Sequence, residues 1–368
     1  MRGEDGMTDY LLAIGTRKGL FIGRSADRVS WGVERADIGM NEVYAVGIDT
    51  RRGTPRLLAG ATSQHWGPSV LYADDLGATW QEPDRAPVAF PEGTNTSLAR
   101  VWQIQPGRPD EPDVVWAGTE PSALFRSEDG GVTYDLVRGL WDHPHRPTWY
   151  PGGGGQAIHT VLPHPTDGQR MTVAMSTGGV YQTADGGQTW APSNKGIIAL
   201  HSPDPYPEYG QCVHKVAFNR TRPEQMFLQN HGGVFRSDDG GGSWSPIGGG
   251  LPADFGFPIV AHPQRAGSAF VFPLLGDFDR TPPESRCRVF RTDDAGETWR
   301  PLSQGLPQEG FQAAVMRDAM SADDGDPTGL YFGTRSGAVF ASPDEGETWS
   351  AVAQHLPDVL SVRAAVVG

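Results

Sequence analysis

Two segments of this chain share one pattern, Ile158-His-Thr-Val161 and Val213-His-Lys-Val216, and a third histidine, His231, follows the second of them. Three imidazoles from His159, His214 and His231, joined by a carboxylate such as Glu120 or Glu208, would suit a divalent metal ion. Without a metal, His159, His214, His231 and Glu120 become a catalytic set of general acids and bases. Arg17, Arg100 and Arg335 would then hold an anionic substrate by charge-assisted hydrogen bonds. Trp66, Trp149 and Tyr150 would stack on a sugar ring or another flat ligand, with His65 and Tyr209 beside them. The chain contains no HExxH and no tight ligand spacing, so any such site must be assembled by the fold. Each histidine also has a purely structural use, hydrogen-bonding a neighbouring strand. Cys212 shares a side of its strand with His214 and reads as an inert buried thiol. Pro151–Gly155 (PGGGG) lacks the GK[ST] ending of a phosphate loop and reads as a hinge.

The elements that must position these residues are announced by an octapeptide, S/T-x-D-x-G-x-T-W. Clear copies are Thr183–Trp190, Ser237–Trp244, Thr292–Trp299 and Ser342–Trp349. Ala73–Trp80 lacks the first hydroxyl, Ser127–Tyr134 ends in Tyr, and Ser25–Trp31 is a worn copy without its Gly. Copies recur roughly every fifty residues, which is the mark of one repeated supersecondary unit. Within each, the Asp carboxylate accepts backbone N–H groups just ahead of it and Gly supplies a positive φ, so the unit is a hairpin turn. Alternating runs such as Gly179-Val-Tyr-Gln and Gly233-Val-Phe-Arg precede the copies, as strands should. A calcium or catalytic role for the aspartates is disfavoured, because the EF-hand spacing is absent and six similar catalytic sites make no sense.

On these octapeptides the chain resembles the BNR or Asp-box repeat propeller proteins, whose members include sialidases, sortilin-type receptors, xyloglucanases and the photosystem II assembly factor. The resemblance implies an all-β β-propeller with Asp-box hairpins; seven repeats over this length make it seven-bladed, with residues 1–368 forming a single domain and 1–9 expected to be a disordered N-terminus. It also implies ligand binding on the face opposite the boxes, and such chains are often labelled exo-α-sialidase. A sialidase of this kind has six blades, a Phe-Arg-Ile-Pro stretch and a Tyr–Glu nucleophile pair. Thr16-Arg-Lys-Gly19 does not replace that stretch, and nothing here assigns the nucleophile.

Seven inner strands can be aligned by apolar alternation, beginning at Val43, Val101, Ile158, Val213, Phe257, Phe311 and Leu360. The last would join the N-terminal blade and close the ring, removing an open sheet edge. In that alignment the second position reads Tyr44, Trp102, His159, His214, Pro258, Gln312 and Ser361, at similar depth around the channel. Second-strand ends add Arg17, Lys18, His65, Trp66, Glu120, Asn230, His231, Asp277, Asp279 and Arg335. Long insertions at 81–99, 138–157 and 192–211 fall on the same face, as functional loops often do.

Composition narrows the function. A net charge of −14 argues against nucleic acid as a partner. No segment is long and apolar enough for a membrane span, no secretion signal is evident, and two cysteines make no disulfide scaffold. The expectation is a cytoplasmic protein with no membrane partner. Its function is expected to be that of a hydrolase or lyase, glycosidase-like by resemblance, acting on a polar or anionic small molecule or glycan. A non-catalytic binding platform is the alternative, with true sialidase activity behind it.

Overall fold

The computed structural model describes residues 9–152, 155–276 and 278–367. They form a seven-bladed β-propeller. Six blades are four-stranded antiparallel sheets and the second has three strands, its fourth reduced to the bridge between Tyr72 and Gln81. The first blade is closed as expected: Val359–Val367 lies innermost, paired along Asp9–Thr16 from Asp9 opposite Val367 to Thr16 opposite Val359. Asp9 therefore opens a strand, while residues 1–8, expected to be disordered, lie outside the described residues.

The octapeptide turns work as their chemistry dictates. In Ser127–Tyr134 the Asp129 carboxylate accepts the N–H groups of Val132 and Thr133, both at 2.9 Å, and the Thr133 hydroxyl at 2.6 Å. The Ser127 hydroxyl donates to Asp129 and accepts from the Gly131 N–H. These bonds favour the ionised carboxylate, and the side-chain and backbone donors of Thr189 and Thr298 hold Asp185 and Asp294 down to about 2. Gly131 has φ 94° and a Cβ there would stand 2.5 Å from Leu58 of the preceding blade. The conformation and the blade-to-blade contact thus both demand glycine. In two copies the closing Trp ties blades together: Trp244 and Trp299 donate their indole N–H to the Ser193 and Ile247 carbonyls of the blade before, whereas Trp31, Trp80 and Trp190 donate within their own turns. The worn copy keeps the design, with Asp27 accepting from Val29 and Ser30. At its turn Arg28 takes φ 60° and reaches the buried Asp323 of the seventh blade with two 2.8 Å bonds.

Inner strands follow the expected alignment in blades two to six, with one device the sequence did not reveal. At the second position the ladder slips: Val43/Ala45, Val101/Gln103, Ile158/Thr160 and Val213/Lys215 flank bulges at Tyr44, Trp102, His159 and His214. A bulge bends the strand and re-aims one side chain, which is how a propeller wall turns residues toward its mouth. Two inner strands depart from the alignment. In blade seven the strand is Met320–Ala322, and 311–316 is irregular. There Phe311 N–H bonds the Ser285 carbonyl and the Ala314 carbonyl accepts from the Arg335 N–H, so this apolar run packs without joining a ladder. In blade one the bulge falls at Leu360 and not at Ser361, because Thr16 pairs with Val359.

In blade seven the register of Met320 opposite Phe332 puts Asp318 level with His214 of blade five, with Arg317 just ahead of it and Asp318 bridging Ser361. Gln312, expected at that depth, is exposed and instead donates to the Ser285 hydroxyl.

Candidate functional site

At the channel mouth, on the face opposite the octapeptide turns, lies a cavity of about 510 Å³, within the usual range for small-molecule sites. Its floor is the propeller axis. Lys215 Nζ bonds Asp318 Oδ1 at 2.6 Å and Gln103 Oε1 at 3.1 Å, and Arg363 donates to the same Asp318 oxygen at 2.6 Å. Burial pulls Lys215 down to about 8, against the opposing attraction of Asp318. Asp318 is 2% exposed and its Oδ2 has no hydrogen-bond partner.

Above this floor stands Arg317, 6% exposed, with its Nε buried and unpartnered. No carboxylate forms an ion pair with it among the described residues; its guanidinium sits 5.2 Å from the Trp102 ring centroid and 5.7 Å from that of Phe257. Burial disfavours its charge. A buried cation held by aromatic faces and lacking an anion is costly unless a ligand supplies one.

Arg17, Arg100 and Arg335 line the same cavity, as expected, together with Arg280 and Arg317. The expected clamp is modified, because its arginines already carry carboxylates. Asp358 lies 3.4 Å from Arg17 and 2.6 Å from Arg335, and Arg17 also bonds Glu42 at 2.9 Å. Glu120, expected as a catalytic acid or metal ligand, accepts from Arg100 at 3.0 Å and from the Trp102 indole at 2.9 Å. It therefore positions two cavity walls. Five arginines face one carboxylate, Asp318, among the described lining residues.

His214 and His231 reach the cavity, and His159 does not. His159 is fully buried, its Nε2 2.9 Å from the Val213 carbonyl and its Nδ1 3.2 Å from Thr160 Oγ1. The predicted trio of His159, His214 and His231 is corrected on this ground: His159 hydrogen-bonds blade four to blade five. In its place stands Cys212. The Cys212 Sγ is 3.9 Å from His214 Nε2, which is 3.1 Å from His231 Nδ1. Cys212 is half-buried and lines the cavity, so the expectation of an inert interior thiol is also revised. The His214 Nδ1–H donates to the Gly256 carbonyl at 2.6 Å, leaving Nε2 as the acceptor nitrogen of a neutral ring. Burial first, and then the neighbouring Arg317, keep the His214 pKa well below the usual histidine value.

The aromatic expectations divide. Tyr150 lines the cavity and is 55% exposed. Trp149 is buried and donates to the Tyr181 hydroxyl at 3.1 Å, while Tyr209 stacks on His145 at 3.9 Å between centroids. Both belong to the packing of the 138–157 insertion. Glu208 is exposed beside Tyr209 in a separate hollow. His65 and Trp66 occupy the exposed turn between Arg56–Ser63 and Gly67–Ala73, outside the cavity lining. Asp277 lies outside the described residues, as do Gly153 and Gly154 of the expected hinge.

No family model matches this chain. It is 24% identical over 264 residues to the oligoxyloglucan-reducing end-specific xyloglucanase of Emericella nidulans, covering 64% of this chain and 31% of that protein. The chain thus spans about a third of the length of that curated relative. Among solved structures, YCF48 bound to a D1 peptide aligns with a TM-score of 0.50 at 10% identity, over 93% of this chain and 85% of that one. An ancestral GH74 enzyme aligns with a TM-score of 0.52 at 15% identity, over 88% of this chain and 38% of that one. At these identities the structural likeness shows the shared propeller and nothing finer.

Proposed function

We propose that the cavity binds a small hydroxylated anion, such as a sugar acid or a sugar phosphate, and acts on it as a hydrolase or lyase. The observation that carries this reading is Arg317, a buried guanidinium at the mouth of the channel that has an unpartnered Nε and no ion pair among the described residues. Its neighbour Asp318 Oδ2 is an acceptor still lacking a donor, which a ligand hydroxyl would supply. An anion on Arg317 and a hydroxyl on Asp318 define two contacts of the ligand, and the exposed ring of Tyr150 suits stacking on a sugar beside them. His231, bonded to the neutral His214, takes the part of the general acid or base.

A neutral xyloglucan chain, the substrate named for the curated relatives, fits less well. Glycoside hydrolysis by a carboxylate pair needs two carboxyl groups across the scissile bond. Among the described lining residues Asp318 stands alone, held by Lys215 and Arg363. The octapeptide turns resemble the Asp-boxes of sialidases, but sialidase action is the less favoured reading because the three expected clamp arginines are paired within the protein.

A second reading has its own support. Phe278, 95% exposed, and Leu200, 55% exposed, rim the mouth, and exposed apolar side chains around a cavity also suit a docked peptide or protein. Calorimetric titration separates the readings. The expected result is binding of glucuronate- or sugar-phosphate-class anions, weakened by added salt, with neutral xyloglucan oligosaccharides inert. Equal binding of the neutral oligosaccharides, or no binding of any anion, would overturn the proposal.

A further inference from the structure

The geometry points to a transition-metal site of the zinc class formed by Cys212, His214 and His231, with its remaining coordination directed at the anion-binding cavity. The proposal deepens the reading above, and in it His231 serves as a metal ligand in place of a general acid or base. Cys212 Sγ, His214 Nε2 and His231 Nδ1 all lie within 4.8 Å of one another. On a tetrahedral zinc ion, bond lengths of about 2.0 Å to nitrogen and 2.3 Å to sulfur place two nitrogens ~3.3 Å apart and a nitrogen and a sulfur ~3.5 Å apart. The observed 3.1 Å between the two imidazole nitrogens and 3.9 Å between thiol and imidazole bracket those separations.

The backbone holds this arrangement. Val213 and Asn230 are directly paired, and the N–H of His231 bonds the Cys212 carbonyl at 3.2 Å, so the two outer ligands are cross-strand neighbours. The third comes from the bulge at His214, which turns its ring toward them. The hydrogen bond from His214 Nδ1–H to the Gly256 carbonyl orients the ring and leaves Nε2 as the donor atom, the outer support that histidine ligands characteristically have. A thiolate with two imidazoles is a borderline-soft set that selects zinc and related ions over calcium or magnesium. Three protein ligands leave one position for water or substrate, the pattern of a catalytic and not a structural site. Arg317 lines the same cavity and feels the Cys212 sulfur electrostatically. An anionic ligand would therefore bridge the metal and the guanidinium, which would supply Lewis-acid activation to the hydrolase or lyase reading.

The test is cobalt titration of the full chain, purified without a histidine tag and dialysed against chelator. One equivalent of Co²⁺ should bind and show a thiolate-to-metal charge-transfer band, with zinc displacing it. Cys212→Ser should remove the band and His231→Gln should weaken binding at least about tenfold, the scale on which even a supporting residue acts. Cys287→Ser, altering the other, buried thiol, should leave the band intact. Arg317→Met should weaken anion binding at least about 30-fold yet retain stoichiometric cobalt, so a failed anion reading and a failed metal reading look different. Absence of the band in the wild-type chain would overturn the site. Equal cobalt affinity in a Cys212→Ser/His231→Gln double variant would do the same, leaving a hydrogen-bonded histidine pair.

Discussion

A chain ending at residue 358 is expected not to fold. The strand Val359–Val367 is the inner wall of the first blade, and Val359, Leu360, Val362 and Val367 are all buried. Each buried apolar side chain contributes ~1.5–3 kcal/mol. Losing four removes about 6–12 kcal/mol, comparable to the ~5–15 kcal/mol that holds a typical domain together. The loss is not local. Without this strand, Asp9–Thr16 presents a bare inner edge and the bridge from Asp318 to Ser361 disappears, opening the ring between blades one and seven. Thermal unfolding followed by circular dichroism should show no cooperative transition in the truncated chain. A cooperative melt within a few degrees of the full chain would refute the closure argument.

The second large effect is expected from Asp318→Asn. Replacing the carboxylate by a neutral amide leaves Lys215 and Arg363 without the negative charge they share, and Arg317 beside them without that of its chain neighbour. Breaking a buried ion pair by deleting one partner costs about 3–5 kcal/mol. The pH dependence carries a sign that identifies the cause. Lys215 has a folded pKa of about 8, below its ordinary value of 10.5. Between those values the unfolded chain binds more protons, so stability contributed by Lys215 rises with pH across that window. The neutral amide of the Asp318→Asn variant would no longer attract the ammonium, so deprotonation of Lys215 should relieve more strain in the variant than in the wild type. The deficit in melting temperature should therefore narrow as pH rises from 7 to 9. A deficit constant with pH would mean that Asp318 acts through packing alone, and Lys215→Met in the same background should recover part of the loss.

Much of the fold was legible because the octapeptide couples a specific turn to a specific packing contact. Its Asp, Gly and Trp each have one physical task, so a copy that lost one of them, such as Ser25–Trp31, still forms the turn. Inner strands were less legible. Phe311-Gln-Ala-Ala-Val-Met and Met316-Arg-Asp-Ala-Met-Ser are both apolar enough to read as strand, and alternation does not say which one finds a partner. With the earlier segment read as the strand, Asp318 in the cavity floor and Arg317 above it have no assigned place. The available signal was charge: two adjacent ionisable residues inside an apolar run belong at a channel axis more readily than in a sheet interior.

The site was half legible for a related reason. Arg17, Arg100, Arg335, Tyr150, His214 and His231 reach the cavity because strand ends and loop positions can be assigned to a face by direction alone. His159 shares the register of His214 and also occupies a bulge, yet its ring nitrogens bond Val213 and Thr160. Equal register fixes depth, but bulge geometry and the neighbouring blade decide where a ring points. The place of Cys212 is not legible in sequence because a thiol's role depends on its neighbours, and the cross-strand approach of His231 is visible only in three dimensions.

The central claim is that Arg317 awaits an anion, and titration of an Arg317→Met variant with the tightest-binding anion tests it most directly. The account predicts a loss of affinity of at least about 30-fold, corresponding to ~2 kcal/mol for the charged hydrogen bonds removed. It also predicts that the ligand-free variant melts at the same temperature as the wild type or higher, because a buried charge with no ion pair among the described residues has been taken away. Unchanged anion affinity in a folded variant would contradict the account and leave the cavity's arginines as parts of the wall.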